Sequence, residues 1–363
     1  MASDPRHIIV IGASAGGVEA LTRLAKELAP DIPAAIFITV HFPPDSTSAL
    51  ARILTRAGEL RAVHAIDHQP IEVGRIYLAP PDHHLLIFRN LMRLYRGPRE
   101  NGNRPAVDPM FRSAALAYGP RVIGVILSGN LDDGTSGLMA IKRRGGLALV
   151  QDPDDAMFPA MPQSAIEHVA VDDVFKLDRL ASLLYELSQR PVVEEDIVAA
   201  DDAEKETEFT EFDLTRIEDS ADHPGVLAPF GCPDCGGTLW ELREGDLVRF
   251  RCRVGHAWTS DALLASQTET LDAALWTALR ALEESAALSQ QLSERARKRG
   301  NERLAERLAD NATVATRRAA TIRGVLVEAT KVPEVEKSQS TTPPPTAARR
   351  AGSRAQRVTG SDD

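Results

Sequence analysis

The sequence lacks the features that mark several large classes of protein. No apolar run approaches the roughly 18 uninterrupted residues that a membrane-spanning helix needs. The apolar run His7–Gly12 is too short for the core of a signal peptide, and no cleavage site of small residues follows it. We therefore expect a cytoplasmic protein that does not insert into a membrane.

Cysteine is scarce, and basic residues are not in excess. The 363 residues include three cysteines, all within one short segment, which argues against a secreted disulfide framework. The net charge of −10 is concentrated between Glu194 and Asp222, where thirteen acidic residues accompany two basic ones. Bulk electrostatics therefore give no reason to expect a nucleic-acid partner.

Residues 7 to about 188 alternate short apolar runs with amphipathic stretches. The runs are typical of parallel strands covered on both faces, and they are His7–Gly12, Ala34–Val40, Arg75–Leu78, Val122–Leu127 and Leu147–Val150. The intervening predicted helices are Gly16–Leu28, Thr47–Ala57, Pro109–Ala117 and Ser136–Arg144. This alternation predicts a doubly wound α/β fold with a mostly parallel, Rossmann-like sheet.

Composition divides the chain into five predicted parts. Residues 1–190 form the α/β domain, 191–227 an acidic linker, 228–259 a compact Cys/His module, 260–331 a helical hairpin and 332–363 a disordered tail. The helical pattern is broken at Arg299-Gly300-Asn301. Because the strand–helix alternation ends before Pro191, we expect the α/β domain to be active by itself.

The stretch Gly12-Ala13-Ser14-Ala15-Gly16 follows the first apolar run and opens the first predicted helix. Its G-x-S-x-G spacing is that of a nucleophile elbow, which presents a serine at the carboxyl end of a strand. Backbone N–H groups at the start of the helix favour negative charge there. A phosphate or dinucleotide loop is the alternative, although the G-x-G-x-x-G order is absent. The segment alone leaves both interpretations open.

Further polar residues follow two other predicted strands. His41 comes directly after the second run, where Phe42-Pro43-Pro44 prevents the strand from continuing. Asp132 and Asp133 lie in the turn after the run that ends at Leu127. Carboxyl ends of parallel strands share one edge of a sheet, so an acid here can orient the histidine beside the serine. Either aspartate can instead cap the next helix, and position does not choose between them.

Residues 7–188 resemble the catalytic domain of the chemotaxis protein-glutamate methylesterases. The order and spacing of the matching stretches agree with that family, and they are Ile11–Gly17, Val40-His41-Phe42-Pro43, Ile76–Asp82, Asn103–Asp108 and Gly124–Gly129. Phe158-Pro159-Ala160-Met161-Pro162 resembles the family's late F-x-M-P element, with one extra residue. The resemblance implies a hydrolase that removes methyl esters from glutamates of methyl-accepting chemoreceptors, without a cofactor for catalysis. Some members also deamidate glutamine.

The resemblance also assigns roles to individual residues. It implies Ser14 as nucleophile, His41 as general base and acid, and Asp133 as orienting carboxylate. Asp133 is preferred because it directly precedes a glycine, as the acid of the family does. The backbone N–H of Asn130 would be an oxyanion donor.

This sequence departs from the family pattern at three places, none of which removes a triad side chain. Ala15 replaces a usual threonine, Phe42 a common methionine, and Asn130-Leu131-Asp132 a more glycine-rich turn. We expect these changes to affect the fit of the substrate. The family usually carries an N-terminal receiver domain, but the first strand begins here at His7, so we expect no receiver-based control within this sequence.

The segment Cys232-x2-Cys235-x16-Cys252-x3-His256 has the ligand spacing of a zinc ribbon. Glycines and a proline beside the cysteines supply turns for such a site. Four protein ligands leave no open coordination position, so we expect a structural rather than a catalytic zinc. The alternative is a set of unrelated buried cysteines.

A weak apolar stripe follows in the helical region, interrupted by two serines. Its residues recur at 4–3 spacing and are Leu271, Leu275, Ala278, Leu282, Ser285, Ser289 and Leu292. A second helix, about Glu302–Ala329, can pack back on it as an αα-hairpin. An ordinary two-helix unit explains the stripe, and a homodimer through these helices is the alternative.

Two other functions compete with a serine hydrolase. An idle scaffold that binds a receptor or signalling partner would not need Ser14, His41 and Asp133 together. A nucleotide-binding enzyme would need an acidic residue after the second strand to bind a ribose, and His41 occupies that position. The sequence therefore favours the serine hydrolase.

Overall fold

The computed structural model describes residues 7–45, 48–192 and 225–329. Most of the predicted linker and all of the predicted tail lie outside these ranges. The described residues form two compact units, one up to Ala273 and one from Ala274 onward. That division differs from the predicted domain boundaries, which stay predictions. In the described ranges, no helix is long and apolar enough to cross a membrane.

A seven-stranded parallel sheet lies at the centre of the first unit. Its strands are β1 (Ile8–Ala13), β2 (Ala35–Val40), β3 (Arg61–His64), β4 (Arg75–Leu78), β7 (Val122–Ile126), β8 (Leu147–Gln151) and β9 (Asp173–Phe175). They lie in the order β3-β4-β2-β1-β7-β8-β9, and every neighbouring pair is parallel. A separate antiparallel hairpin consists of β5 (His84–Phe88) and β6 (Leu91–Tyr95). The predicted parallel α/β fold is confirmed.

Helices cover both faces of this sheet. The helices are α1 (Gly17–Glu27), α2 (Leu50–Ala57), α3 (Val107–Tyr118), α4 (Thr135–Arg143), α5 (Ala160–His168) and α6 (Leu177–Gln189). Successive residues of a strand point to opposite faces. Ile9 of β1 accordingly packs in the core with α1, α2 and α6, while Val10 packs in the core with α3, α4 and α5. Burial on both faces explains why β1, β2 and β7 are apolar along their length.

The carboxyl ends of β1 and β7 form the switch point of the sheet. These two strands are neighbours, but the helix after β1 lies on one face and the helix after β7 on the other. Open α/β sheets bind ligands at such a switch point, outside the carboxyl ends of the strands. The fold therefore places Ser14, after β1, and Asp133, in the loop after β7, at one switch point.

A small antiparallel sheet completes the first unit. It consists of β10 (Val226–Gly231), β11 (Thr238–Glu244), β12 (Leu247–Cys252) and β13 (Ala257–Thr259), paired in that order. We call residues 226–259 the Cys/His module. Leu239, Phe250 and Trp258 are the largest apolar side chains of its own small core. The module also pairs with the α/β domain, through a parallel bridge between Glu100 and Ala257.

Two long helices, α7 (Ser260–Lys298) and α8 (Glu302–Ala329), follow the Cys/His module. The predicted break between them is present, and Gly300 has a φ of 75°. Within the second unit, Leu279 of α7 packs against Ala319 and Leu326 of α8, as a hairpin requires. Homodimer formation through these helices stays a prediction.

Candidate active site

Ser14 lies in a tight turn directly after β1. Its N–H donates to the carbonyl of Ser128 at 3.0 Å, and its own carbonyl accepts from the N–H of Gly17 at 2.9 Å. Gly16 has a φ of 74°, a conformation that glycine adopts without strain. The turn therefore presents Ser14 at the N-terminus of α1, as its G-x-S-x-G spacing predicts.

His41 connects the serine to a carboxylate. Its Nδ1 lies 3.1 Å from Ser14 Oγ, and its Nε2 lies 2.6 Å from Asp133 Oδ2. When Nε2 carries the proton shared with Asp133, the lone pair of Nδ1 faces the serine hydroxyl and can accept its proton. The structure thus brings the three predicted triad side chains into one hydrogen-bonded chain.

Asp133 is buried against the N-terminus of α3. Its Oδ2 accepts from the N–H of Val107 at 2.7 Å, and its Oδ1 accepts from the N–H of Asp108 at 3.3 Å and from Asn101 Nδ2 at 3.2 Å. Burial alone would raise the pKa of Asp133, but the hydrogen bond and charge of His41, together with the N–H donors, lower it. An ionised Asp133 stabilises the imidazolium that forms when His41 accepts a proton.

A second buried carboxyl group, Asp108, lies next to Asp133. Its Oδ1 accepts from the N–H groups of Gly134 and Gly137, at 3.1 and 2.6 Å, and so ties α3 to the start of α4. Burial and the nearby charge of Asp133 raise the pKa of Asp108 well above its ordinary value. Each of these two buried carboxyl groups therefore opposes the ionisation of the other.

Asp132, the other candidate acid, has a different partner. Thr259 Oγ1 of β13 donates to Asp132 Oδ1 at 2.7 Å. Burial raises the pKa of Asp132 to about 6. Of the two aspartates that sequence position left open, Asp133 is therefore the one that holds His41.

The loop after β7 approaches the nucleophile closely at Gly129. A Cβ atom at this position would lie 2.9 Å from Ser14 Cβ and 2.0 Å from Met161 Sδ, so a side chain does not fit. The N–H of Gly129 donates to the carbonyl of Phe158 at 2.9 Å, which attaches the late F-x-M-P-like element to the site. The predicted oxyanion donor, Asn130, is the next residue, and its role stays a prediction.

The predicted metal ligands of the Cys/His module lie together. The ligand atoms of Cys232, Cys235, Cys252 and His256 are all within 4.8 Å of one another. Cys235 Sγ lies 3.7 Å from Cys252 Sγ, and His256 Nδ1 lies 3.5 Å from Cys252 Sγ. Asp234 Oδ2 is 3.8 Å from the other ring nitrogen of His256. The cluster can hold a metal ion.

Sequence reasoning missed three residues around the triad. Asn101 and Asp108 surround Asp133, and Thr259 holds Asp132. Asp108 lies within a stretch that resembles the methylesterases, so the resemblance was a usable signal, but no role was assigned to the residue. Nothing in the sequence pattern singles out Asn101 or Thr259.

Comparison with known proteins identifies relatives of the α/β domain. Residues 9–184 match the family model described as CheB methylesterase. A protein-glutamate methylesterase/protein-glutamine glutaminase of Methanosarcina mazei is 37% identical over 184 residues, which are 48% of this chain and 50% of that protein. A relative in Leptospira interrogans, assigned the same two activities, is 40% identical over 182 residues, which are 50% of this chain and 94% of that protein.

A solved structure and a third relative are also similar to the α/β domain. The Thermotoga maritima CheB methylesterase catalytic domain is 34% identical, covers 51% of this chain and 99% of its own, and has a TM-score of 0.49. A Pseudomonas aeruginosa protein-glutamate methylesterase/protein-glutamine glutaminase is 38% identical over 187 residues, 50% of this chain and 53% of that protein. This chain thus spans about half the length of the Methanosarcina and Pseudomonas relatives and nearly all of the Leptospira one.

The raised pKa of Asp132 predicts a pH-dependent gain in stability for Asp132→Asn. The substitution keeps an oxygen acceptor for Thr259 and removes a buried negative charge. The wild-type carboxyl is stabilising where it is protonated, below its ordinary pKa of about 4, and loses this contribution as the pH rises through about 6. Relative to wild type, the variant should therefore gain about 2–3 kcal/mol in unfolding free energy between pH 4 and pH 8.

Denaturant unfolding at the two pH values measures this gain. The control is the same substitution at the exposed Asp246, which should change the stability equally at both pH values. An Asp132→Asn variant whose stability tracks wild type across this range would contradict the prediction.

Proposed function

The chain belongs to the CheB methylesterase family, and on that premise we propose that it is a serine hydrolase acting on glutamate methyl esters. The proposed substrate is a methyl-accepting chemoreceptor or a similarly methylated signalling protein. Because the relatives are named for two activities, hydrolysis of glutamine side-chain amides is included in the proposal. The observation that carries it is the hydrogen-bonded chain from Ser14 through His41 to Asp133.

The geometry supports a two-step reaction. Ser14 Oγ attacks the ester carbonyl while His41 Nδ1 takes the hydroxyl proton, and the ionised Asp133 stabilises the imidazolium. The backbone N–H of Asn130 is the proposed donor to the oxyanion. The carbon–oxygen bond to the methoxy group then breaks, and methanol leaves with the proton from His41. Water hydrolyses the acyl-enzyme by the same steps and restores Ser14.

Exposed apolar side chains beside the site support a protein substrate. Met157 and Phe158, which adjoin the turn of Ser14, are 65% and 37% exposed, and Leu131 in the loop after β7 is 38% exposed. Grouped apolar side chains at the surface are typical of binding sites for other proteins. The three cysteines form no disulfide with one another, which fits a reducing compartment and supports a cytoplasmic location.

For the Cys/His module we propose one structural zinc ion. Three thiols and one imidazole nitrogen form a common ligand set for tetrahedral zinc, with the metal held between two turns. The first turn is closed by the N–H of Gly236 on the carbonyl of Cys232, and the second by the N–H of Gly255 on the carbonyl of Cys252. Four protein ligands leave no position for a substrate, so zinc supplies folding free energy here rather than chemistry.

The triad assignment predicts the loss of turnover in single variants. Ser14→Ala, His41→Ala and Asp133→Ala should each lower methanol release from methylated receptor fragments by on the order of 10³-fold or more. Double variants should be little worse than single ones, because the three side chains act as a unit. Asp132→Asn is the matched control and should keep activity within about threefold, because it retains the acceptor for Thr259. A fully active Asp133→Ala beside an inactive Asp132→Ala would reverse the choice of acid.

The zinc assignment predicts the metal content of the protein. Chain purified without chelators should contain one zinc ion by elemental analysis, and Cys235→Ser should contain much less because one thiolate ligand is gone. Thr238→Val, at an exposed position of the same module, should keep its zinc. Wild-type protein without bound metal would remove this assignment.

A further inference from the structure

The Cys/His module is hydrogen-bonded to residues that hold the triad acid. Thr259 Oγ1 donates to Asp132 Oδ1 at 2.7 Å, and the N–H of Thr259 donates to Asn101 Oδ1 at 2.9 Å. The other end of the same amide, Asn101 Nδ2, donates to Asp133 Oδ1 at 3.2 Å. All four residues are buried. A single asparagine side chain therefore joins β13 to the carboxylate that orients His41.

The backbone around Asn101 is paired with β13 as well. The N–H of Asn101 donates to the carbonyl of Ala257 at 2.8 Å, and the N–H of Ala257 donates to the carbonyl of Arg99 at 3.3 Å. Asn101 has a φ of 51°, in the left-handed region that asparagine tolerates better than most residues. Pairing with β13 thus fixes the direction in which the Asn101 amide leaves the chain.

A buried ion cluster attaches the module to the helix beneath Asp133. The carboxylate of Glu100 lies 2.7 Å from a guanidinium nitrogen of Arg112 in α3, and 3.5 and 3.9 Å from those of Arg251 and Arg249 in β12. Burial alone would raise the pKa of Glu100, but the three guanidinium groups outweigh it and lower the pKa. Separating these charges would leave them buried without compensation, which is strongly unfavourable. The module is therefore held firmly against α3, whose N-terminus binds Asp133.

The position of β13 depends in turn on the metal-binding cluster. Cys252 ends β12 and His256 directly precedes β13, and the N–H of Cys252 donates to the carbonyl of His256 at 3.0 Å across the turn between them. Thr259 follows His256 by three residues and pairs with Arg249 in the same ladder. Where metal ligands come together only when the metal binds, binding of the metal is coupled to folding of the segment around it. Loss of the metal would free the turn that sets the register of β13.

The loop after β7, which accepts the hydrogen bond from Thr259, depends on contacts with other parts of the fold. Leu131 has a φ of 59°, an unfavourable backbone conformation for a leucine, and it directly precedes Asp132. Such a conformation persists only where neighbouring contacts hold it. The hydrogen bond from Thr259 to Asp132 is one of these contacts. The loop carries both Asp133 and Asn130, so its position affects the orientation of His41 and the proposed oxyanion donor.

We propose that Thr259 and Asn101 are positioning residues of the triad, and that metal binding by the Cys/His module thereby controls the reactivity of Ser14. The proposal rests on the serine-hydrolase function proposed above. Neither residue is assigned a contact with the substrate. Their effect is therefore on the rate of the chemical step rather than on substrate affinity.

The test measures the reactivity of Ser14 directly in the full chain. A fluorophosphonate probe reacts with an activated serine: the Oγ–phosphorus bond forms, the phosphorus–fluorine bond breaks, fluoride leaves and His41 takes the proton. Thr259→Val keeps the shape of the side chain and removes the hydroxyl donor to Asp132. We expect this variant to label about tenfold more slowly, and to lower kcat for a small methyl ester by about the same factor with KM nearly unchanged.

Three further variants separate positioning from general damage. Thr259→Ser keeps the hydroxyl and should label at close to the wild-type rate. Thr238→Val makes the same change as Thr259→Val at an exposed position of the module and should have no effect. Asn101→Ala removes the amide link from the α/β side while changing no residue of the module, and should also slow labelling. Wild-type labelling by both Thr259→Val and Asn101→Ala, each with its zinc retained, would overturn the proposal.

Metal removal forms the second arm of the test. A chelator should slow labelling of Ser14 in proportion to the zinc released, and one equivalent of Zn²⁺ should restore the rate. Metal-free protein that labels as fast as the zinc-loaded protein would refute metal control. Failure of the proposed function has a different signature: wild type would react with the probe but release no methanol from methylated receptor fragments.

Discussion

Asp133 is 2% exposed, and a buried carboxylate remains ionised only where the fold supplies donors to replace water. Two backbone N–H groups at the start of α3, the amide of Asn101 and the ring of His41 provide them. Burial and the charge of Asp133 raise the pKa of the adjacent Asp108, so the fold opposes a second negative charge beside the first. Strand β7, helix α3 and the histidine after β2 must all be in place for this arrangement. The orientation of His41 toward Ser14 therefore depends on the correct folding of most of the α/β domain.

Sequence reasoning succeeded where one local rule determines the structure. Strands β1, β2, β4, β7 and β8 are buried on both faces, so their apolar runs were recognisable, with ends that differ by at most one residue. Strand β3 begins at an exposed arginine and has one fully buried residue, and β9 has three residues, so neither gave such a run. The grouping of Ser14, His41 and Asp133 was predictable because these residues follow strands at one edge of the sheet. Position alone did not separate Asp132 from Asp133; the family resemblance did.

The residues that could not be predicted are joined by contacts distant in sequence. Asn101 and Thr259 are 158 residues apart, and Thr259 and Asp132 are 127 apart. A single asparagine or threonine gives no sign in the sequence of a hydrogen-bond partner more than a hundred residues away along the chain. The expectation that residues 1–190 act alone was based on the position of the triad and the strand–helix alternation. In the structure, Arg249 and Arg251 of the Cys/His module lie around Glu100, so truncation would leave a buried carboxylate with Arg112 as its remaining partner among these three arginines. That is a physical reason to doubt the expectation, which stays a prediction.

The contacts that link the Cys/His module to the triad matter because the native conformation of the loop after β7 is energetically unfavourable by itself. It contains a leucine in a left-handed conformation and an aspartate whose burial raises its pKa to about 6. A loop stable by itself would keep its geometry whether or not β13 were present, and the Cys/His module could then change nothing at Ser14. A loop that depends on its neighbours responds to any change in the strand that holds it. The strand shifts the loop between two conformations by as much as its contacts with them differ in free energy. In the proposed coupling, the same unfavourable features that weaken this loop are what allow it to transmit the state of the predicted metal site to Asp133.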